Sequence, residues 1–165
     1  MTIVEPTDPA DPGLSLRERI LGAAFSAFME HGYAGASTLD IARRARVSKR
    51  DLYATFGSKQ AMLAACISAR ARRMRSPLDL PVPHSRAAFI ATLETFGRTL
   101  LQEASQPQVL ATYRLAILEA ERAPEVAQAL DALGRAANLS ALANLLRSAQ
   151  RGGLLGAYDP EQAAD

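Results

Sequence analysis

Apolar residues recur along this chain at the three- and four-residue spacing of amphipathic α-helices. One stripe runs from Leu16 to Phe28, and Gly32 supplies a left-handed stop soon after it. Similar stripes run over 85–102, 109–120 and 139–149. There is no sustained alternation of apolar and polar residues and no Asn-Gly or Asp-Gly hairpin turn. The pattern therefore predicts an all-α protein.

Prolines divide the chain. Three of them fall within 76–84, so this segment cannot be helical throughout and serves as a linker. We therefore expect one domain over 14–75 and a second, helical domain over 85–165. The first 13 residues are rich in proline, glycine and acids, which predicts a disordered tail rather than a signal peptide.

The net charge of +2 hides an asymmetry between the two halves. Residues 14–76 contain twelve basic and four acidic side chains, a balance of +8. From position 77 to the end there are seven basic and ten acidic side chains, a balance of −3. This division indicates a polyanionic partner for the first half, or simply two solvated faces, and charge alone does not decide between them.

The composition argues against several classes of protein. A single cysteine, Cys66, cannot form an internal disulfide, and no His/Cys cluster has zinc-ligand spacing. No apolar run is long enough to span a membrane. The two histidines, His31 and His84, fall at a helix end and in the linker, and no Ser/His/Asp set or phosphate loop accompanies them. We expect a cytoplasmic protein that is not an enzyme and needs no metal or cofactor.

Two helix starts lie eleven residues apart, at Ser37 and Ser48. Each serine is followed three positions later by an aspartate, which is the capping-box pattern of a helix N-terminus. The spacing predicts a helix over 38–44, a tight turn over 45–47 and a second helix from Ser48. Such a pair is typical of a helix-turn-helix, here at about 37–56, although any helical hairpin could show it.

Cations at the start of the second helix favour the DNA-binding interpretation. Lys49 and Arg50 fall in its first turn, where positive charge opposes the helix dipole but suits a DNA groove. Tyr53 lies one turn later, where its hydroxyl could donate to a phosphate; the alternative is a partly buried core aromatic. Lys59 follows the capping residue Ser58 and could bind a phosphate there, or be a plain solvated charge.

The segment 38–63 resembles the DNA-binding signature of TetR-type (TetR/AcrR) transcriptional regulators. Its core is Val-Ser-x-x-x-Leu-Tyr-x-x-Phe-x-Ser-Lys, beginning at Val47. The Phe-x-x-x-Gly-Tyr ending at 28–33 is also similar to the end of that family's first helix. The resemblance covers roughly 14–75. It implies a three-helix DNA-binding domain followed by a helical ligand-binding and dimerisation domain.

The resemblance also implies roles for individual residues. Phosphate contacts would come from Thr38, Tyr53 and Lys59, and base contacts from Lys49 and Arg50. The family usually has glycine where this chain has Arg46, so either the turn is remodelled or the arginine is kept for a phosphate contact. The predicted DNA-binding residues are Ser37, Thr38, Arg46, Ser48, Lys49, Arg50, Tyr53, Thr55 and Lys59. The predicted core of this domain comprises Ile41, Ala42, Val47, Leu52 and Phe56.

Beyond the linker the segment 113–126 is similar to one subgroup of these regulators. The resemblance implies a ligand pocket among the helices, with ordinary core packing as the alternative for each lining residue. The plausible lining is Phe89, Leu93, Phe96, Tyr113, Arg114 and Ile117. Arg114 and Glu119 could pair with a ligand, but an ion pair between them is the preferred interpretation.

The function implied by the resemblance is a repressor that binds a palindromic operator as a homodimer and responds to a small-molecule inducer. Family members usually have one more helix after the step at 159–161, and it contributes to the dimer interface. Since this chain ends at Asp165, we expect that helix to be missing. The alternative is a helical DNA-binding or protein-interaction module that has lost control by a ligand.

Overall fold

The computed structural model describes residues 13–156, 159–160 and 162–163. The tail predicted over 1–13 lies, apart from Gly13, outside these residues. Within them the helices are α1 Leu16–Gly35, α2 Thr38–Arg44, α3 Lys49–Phe56, α4 Lys59–Arg75, α5 Arg86–Ala104, α6 Pro107–Leu118, α7 Pro124–Leu130 and α8 Ala136–Arg151.

Two short helical turns complete the described part of the chain. A 3-10 turn, Ser76–Asp79, follows α4, and a π-helical turn, Asp131–Arg135, joins α7 to α8. No strand occurs among the described residues, and the all-α prediction is confirmed. The helices of this part of the chain are all too short or too polar to cross a membrane.

Serine side chains cap the two central helices, but only one of them does so as predicted. Ser48 accepts a hydrogen bond from the Asp51 N–H at 3.0 Å, and its hydroxyl donates to the Asp51 carboxylate at 2.7 Å. Ser37 instead accepts from the N–H two residues on, at 3.2 Å. The capping box expected there is wrong, because the Asp40 carboxylate accepts from Arg44 one turn later, at 2.7 Å.

The described chain forms two compact units. The first contains the residues up to Cys66 together with Ala111–Ala129, and the second contains Ile67–Leu110 with the residues from Leu130 onward. The linker predicted over 76–84 stays a prediction, because these units divide the chain at other points. The largest fully buried side chains of the first unit are Phe28, Ile20, Ile41, Leu52, Met62, Leu63 and Val126.

The second unit has its own apolar cluster. Phe89 of α5 packs with Leu145, Leu146 and Ala149 of α8. Partly buried leucines surround this cluster, namely Leu78, Leu93, Leu142, Leu154 and Leu155. The i, i+3 and i+4 spacing of these residues along α5 and α8 is the stripe that the sequence shows, so the core follows from helical periodicity.

Candidate nucleic-acid interface

The turn between α2 and α3 consists of Ala45, Arg46 and Val47. Arg46 has φ +52°, and it is the single non-glycine residue with positive φ in the described part of the chain. Its N–H donates to the Arg43 carbonyl at 3.1 Å, and the Val47 N–H donates to the Ala42 carbonyl at 3.0 Å. The backbone thus keeps the left-handed conformation that glycine would favour, at a cost of about 1 kcal/mol for an arginine.

The first turn of α3 is held so that its cations face solvent. Leu52 is fully buried, which fixes the rotation of α3 about its axis. Lys49 and Arg50 are both exposed, and Ser48 caps the helix immediately before them. Two exposed cationic residues therefore occupy consecutive positions in the first turn of a short, anchored helix, with the Lys49 ammonium 5.9 Å from the centre of the Tyr53 ring. That is the placement required of residues that read base edges.

Two hydroxyl groups lie together beside this turn. The Tyr53 hydroxyl is 3.3 Å from the Thr38 Oγ1, and the Tyr53 side chain is 41% exposed. Thr38 is the first residue of α2, so the pair joins the start of α2 to the middle of α3. The Tyr53 side chain is therefore partly buried and partly open to solvent, and both interpretations of this residue stay predictions. Either hydroxyl can turn its proton toward an external oxygen, such as that of a phosphate.

Lys59 occupies a different environment from the one its sequence position suggests. Its ammonium donates to the carbonyls of Tyr33, Ala34 and Ala36, at 2.8, 3.3 and 3.3 Å. It also lies 4.7 Å from the centre of the Tyr33 ring. These contacts do not fit the alternative of a plain solvated charge, because all three ammonium protons have an acceptor. A phosphate contact from Lys59 stays a prediction.

Thr55 and Ser37, the remaining predicted contact residues, direct their hydroxyl groups to the backbone. The Thr55 hydroxyl donates to the Asp51 carbonyl at 2.7 Å, and Ser37 caps α2. Ser37 is exposed and Thr55 is half-buried. The structure therefore brings Ser37, Thr38, Arg46, Ser48, Lys49, Arg50 and Tyr53 onto the surface formed by α2, the turn and α3, and their contacts with DNA stay predictions.

An ionic cluster that the sequence analysis missed joins the end of α1 to α2. The Arg44 guanidinium lies 2.6 Å from the Glu30 carboxylate, 2.7 Å from that of Asp40 and 3.1 Å from the His31 Nε2. The hydrogen bond from Arg44 lowers the pKa of the Glu30 carboxyl below its ordinary value. The i, i+4 spacing of Asp40 and Arg44 is the signal that could have revealed it.

The residues predicted to line a ligand pocket fall into both units. Phe89 and Phe96 are buried in the second unit, and Leu93 packs against the apolar cluster there. The other three, Tyr113, Arg114 and Ile117, belong to the first unit and are exposed. The Ile117 side chain is 75% exposed. The pocket stays a prediction.

The ion pair expected between Arg114 and Glu119 is wrong. The Glu119 Oε1 accepts a hydrogen bond from the Ala34 N–H at 3.4 Å, and its Oε2 is buried without a hydrogen-bond partner. Arg114 is exposed on α6. The two residues are five positions apart, so a carboxylate at the end of α6 can point to another part of the unit instead of toward its helical neighbour.

The second unit buries polar atoms that the sequence analysis overlooked. The Asn138 Oδ1, the Glu103 Oε2 and the Arg75 Nη1 are buried and have no hydrogen-bond partner. Asn138 is only 9% exposed, and its amide nitrogen donates to the Met74 Sδ at 3.5 Å. Glu103 pairs with Arg70 at 3.9 Å, a distance too long for a hydrogen bond.

Glu103 and Asn138 both occupy positions in the apolar stripes of their helices, and this signal is present in the sequence. Glu103 stands three and seven positions after Leu100 and Phe96, and Asn138 stands four positions before Leu142. A polar residue at such a position becomes buried when the helix packs. On the α4 side, Arg70 and Met74 are one helical turn apart, so the Glu103 and Asn138 contacts lie on the same face of that helix.

Comparison with known protein families gives two matches. Residues 20–66 match the family of bacterial regulatory proteins of the tetR type. Residues 91–165 match the C-terminal domain of AefR-like transcriptional repressors. No curated protein matches the chain.

Solved structures give matches that extend over both regions. The Flavonoid-responsive Regulator FrrA is 33% identical, with 90% of this chain and 75% of that one covered and a TM-score of 0.70. A TetR transcriptional regulator from Agrobacterium tumefaciens is 29% identical, with coverage of 91% and 75% and a TM-score of 0.71. GusR of Salmonella enterica is 26% identical, with coverage of 93% and 78% and a TM-score of 0.62.

Proposed function

The chain belongs to the TetR family of DNA-binding transcriptional regulators, and from that premise we propose that it is a ligand-responsive repressor acting on a palindromic operator as a homodimer. Regulators of this family are not enzymes. One observation carries the DNA-binding part of the proposal. Lys49 and Arg50 stand exposed on the first turn of α3, while Leu52 anchors that helix in the core. The proposal places the protein in the cytoplasm with bacterial DNA.

In this proposal the first turn of α3 enters the major groove. Lys49 and Arg50 donate to the O6 and N7 acceptors of guanine, which arginine and lysine recognise best. The paired hydroxyls of Thr38 and Tyr53 contact phosphates on one side of the groove, and Arg46 contacts them from the turn. Phosphate contacts fix the position of the domain on the duplex, and base contacts supply the sequence preference.

Selection of duplexes from a random pool, followed by affinity measurements on variants, tests the assignment of α3. Lys49→Ala and Arg50→Ala should each weaken binding to the selected duplex by about 1–3 kcal/mol and relax the preference at one base position. Arg86→Ala removes an exposed charge from α5 in the other unit and should change neither property. Wild-type affinity in both α3 variants would contradict the assignment.

The homodimer is proposed because a two-fold protein matches a palindromic site. Two α3 helices reading one face of the duplex require half-sites about 34–36 Å apart. Light scattering of the protein with the selected duplex should give two chains per site, and the selected sequences should be palindromic with that spacing. A monomer that binds no duplex would favour the alternative, an interaction module without ligand control.

The ligand-responsive part is supported by the match to an AefR-like C-terminal domain and by similarity to a regulator that is flavonoid-responsive. The Asn138 Oδ1 and the Glu103 Oε2 have no hydrogen-bond donor, although the Glu103 oxygen lies 3.9 Å from the Arg70 guanidinium in an ion pair. Both acceptors favour a ligand that brings hydrogen-bond donors. We therefore propose a small, largely apolar inducer with hydroxyl groups. Hydroxylated flavonoids should release the selected duplex, whereas fully methylated analogues should not. Equal responses to both sets would contradict these acceptors as ligand contacts.

A further inference from the structure

Residues 32–36, here called the α1–α2 joint, comprise the kink at Gly32, the last residues of α1 after it and the C-cap Ala36. Gly32 has φ +74° and ψ 167°, values that break the helical backbone of α1. The chain then passes the buried Tyr33 and the buried Ala36 before Ser37 caps α2. The joint therefore sets the position of the first residue of α2, which is Thr38.

Lys59 holds the joint from its carbonyl side. Its ammonium donates to three carbonyls of the joint, those of Tyr33, Ala34 and Ala36. Lys59 is the first residue of α4, so this contact ties the joint to the helix that follows α3.

Glu119 holds the joint from its amide side. Its Oε1 accepts from the Ala34 N–H at 3.4 Å, across 85 positions of sequence. A Cβ placed on Gly32 would lie 2.6 Å from the same oxygen, far inside van der Waals contact. Glycine at position 32 thus meets two demands at once: the positive φ and the close approach of this carboxylate.

The position of the Glu119 carboxylate beside the joint lowers the stability of the folded protein. Its Oε2 is buried with no hydrogen-bond partner, and a buried polar acceptor without a donor is destabilising. Its backbone is fixed in the turn after α6, since its N–H donates to the Leu115 carbonyl and its carbonyl accepts from the N–H groups of Arg122 and Ala123. Stability alone gives no reason to keep a half-satisfied carboxylate at this position.

We propose that Glu119 is a positioning residue for DNA binding, which acts through the α1–α2 joint on Thr38 and its partner Tyr53. With the carboxylate in place, Ala34 and Gly32 are held, α2 begins at a fixed point, and the two hydroxyls are set to meet a phosphate. The proposal rests on the proposed function, because operator affinity is its main readout.

Operator affinity of Glu119→Ala, Glu119→Gln and Glu121→Ala in the full chain tests the proposal. Glu119→Ala should weaken binding about tenfold, which corresponds to about 1.4 kcal/mol, because the joint loses its acceptor. Glu119→Gln keeps an Oε1 acceptor and should stay within about threefold of the wild type. Glu121→Ala removes an exposed acid from the same turn and should have no effect.

Two further readouts separate positioning from loss of charged contacts. The base preference of Glu119→Ala should stay that of the wild type, because Lys49 and Arg50 are intact. The slope of log affinity against log salt should also stay unchanged, since hydroxyl contacts release no counterions. A variant with lower thermal stability but wild-type affinity per folded molecule would overturn the proposal, because that result is purely structural.

Exchange of the Ala34 amide hydrogen gives a test that needs no DNA. It should exchange faster in Glu119→Ala than in the wild type, and equal rates would overturn the contact. If Glu119→Ala does not fold, Glu119→Asp replaces it, because the shorter side chain keeps the charge but withdraws the acceptor from the Ala34 N–H. Its operator affinity should fall, and wild-type affinity of folded Glu119→Asp would overturn the proposal. Should the wild type bind no duplex at all, the proposed function fails, whereas the exchange result still reports on the joint.

Discussion

The region of α2 and α3 in the first unit and the second unit differ in where their polar side chains lie and in whether those side chains have hydrogen-bond partners. Around α2 and α3 several polar side chains lie at the surface with partners within the protein, as in the Thr38–Tyr53 pair and the Arg44 cluster. In the second unit Asn138 and Glu103 bury oxygen atoms that have no donor. In the proposal above, these oxygens are the acceptors to which an inducer would donate. In the first unit, away from α2 and α3, the Glu119 Oε2 is also buried without a hydrogen-bond donor.

The largest effect is expected from a core substitution in the first unit, whose helices depend on packing. Phe28 is fully buried, and its ring centre is 5.6 Å from that of Tyr33. Phe28→Ala should lower the free energy of unfolding by about 3–5 kcal/mol, through lost burial and the remaining cavity. Urea unfolding followed by circular dichroism measures it, with the exposed Leu39→Ala as control. A loss below about 1 kcal/mol would show that the core can collapse around the gap.

Much of this DNA-binding region is predictable from sequence because its signals are local. The helix predicted over 38–44 is the helix observed, and Ser48 caps α3 as expected. Capping and apolar spacing act within four residues, so the sequence shows them directly. The left-handed backbone at Arg46 is a different case, because only the family resemblance, with its usual glycine there, points to it, and a remodelled turn is the alternative; the structure shows φ +52° at this arginine.

The parts that sequence reasoning missed depend on contacts between distant positions. Glu119 accepts a hydrogen bond from Ala34, which is 85 positions away in sequence. Sequence reasoning paired it instead with Arg114, a charged residue only five positions away. Helix α7 has only seven residues, too few for a periodic stripe to stand out, and unlike the equally short α2 it has no serine before it to signal a cap. The burial of Asn138 results from the packing of α8, although its place in the apolar stripe can be read from the sequence.

A substitution at Asn138 sharpens the contrast between the units. Asn138→Leu replaces a buried, unpaired carbonyl oxygen by an apolar group of similar size, so the free energy of unfolding should rise by about 1–2 kcal/mol. The same variant should respond less to a hydroxylated inducer. Asn144→Leu lies on an exposed face of α8 and should change stability by less than about 0.5 kcal/mol. Reduced stability of Asn138→Leu would mean that the amide contributes more than it costs.

A pair of glycine substitutions tests the strained turn. Arg46→Gly should stabilise the protein by about 1 kcal/mol, because glycine adopts positive φ freely. Arg43→Gly removes the same charge from the exposed face of α2 and should destabilise it by about 1 kcal/mol. Urea midpoints of the two variants should therefore move in opposite directions. Equal shifts would show that charge, rather than backbone conformation, dominates at both positions.

The smallest effect is expected from the ionic cluster at the surface of the first unit. The hydrogen bond from Arg44 lowers the pKa of the Glu30 carboxyl in the folded state. The folded protein then binds a proton less readily than the unfolded chain, so this contribution to stability is present above about pH 4.3 and is lost as pH falls further. Because the Glu30 side chain is 55% exposed, the contribution is small and should weaken in high salt.

Urea midpoints between pH 7 and pH 3 measure the Glu30 contribution. Glu30→Gln should make the midpoint fall less steeply with pH than in the wild type, because glutamine has no proton to gain. Glu121→Gln, at an exposed position of the same unit, should follow the wild-type curve. If Glu30→Gln also follows it, the contact between Glu30 and Arg44 contributes nothing to stability, and any contribution of the cluster comes from the Asp40–Arg44 pair. The difference between the two units would then rest on the buried oxygens of Asn138 and Glu103 in the second unit.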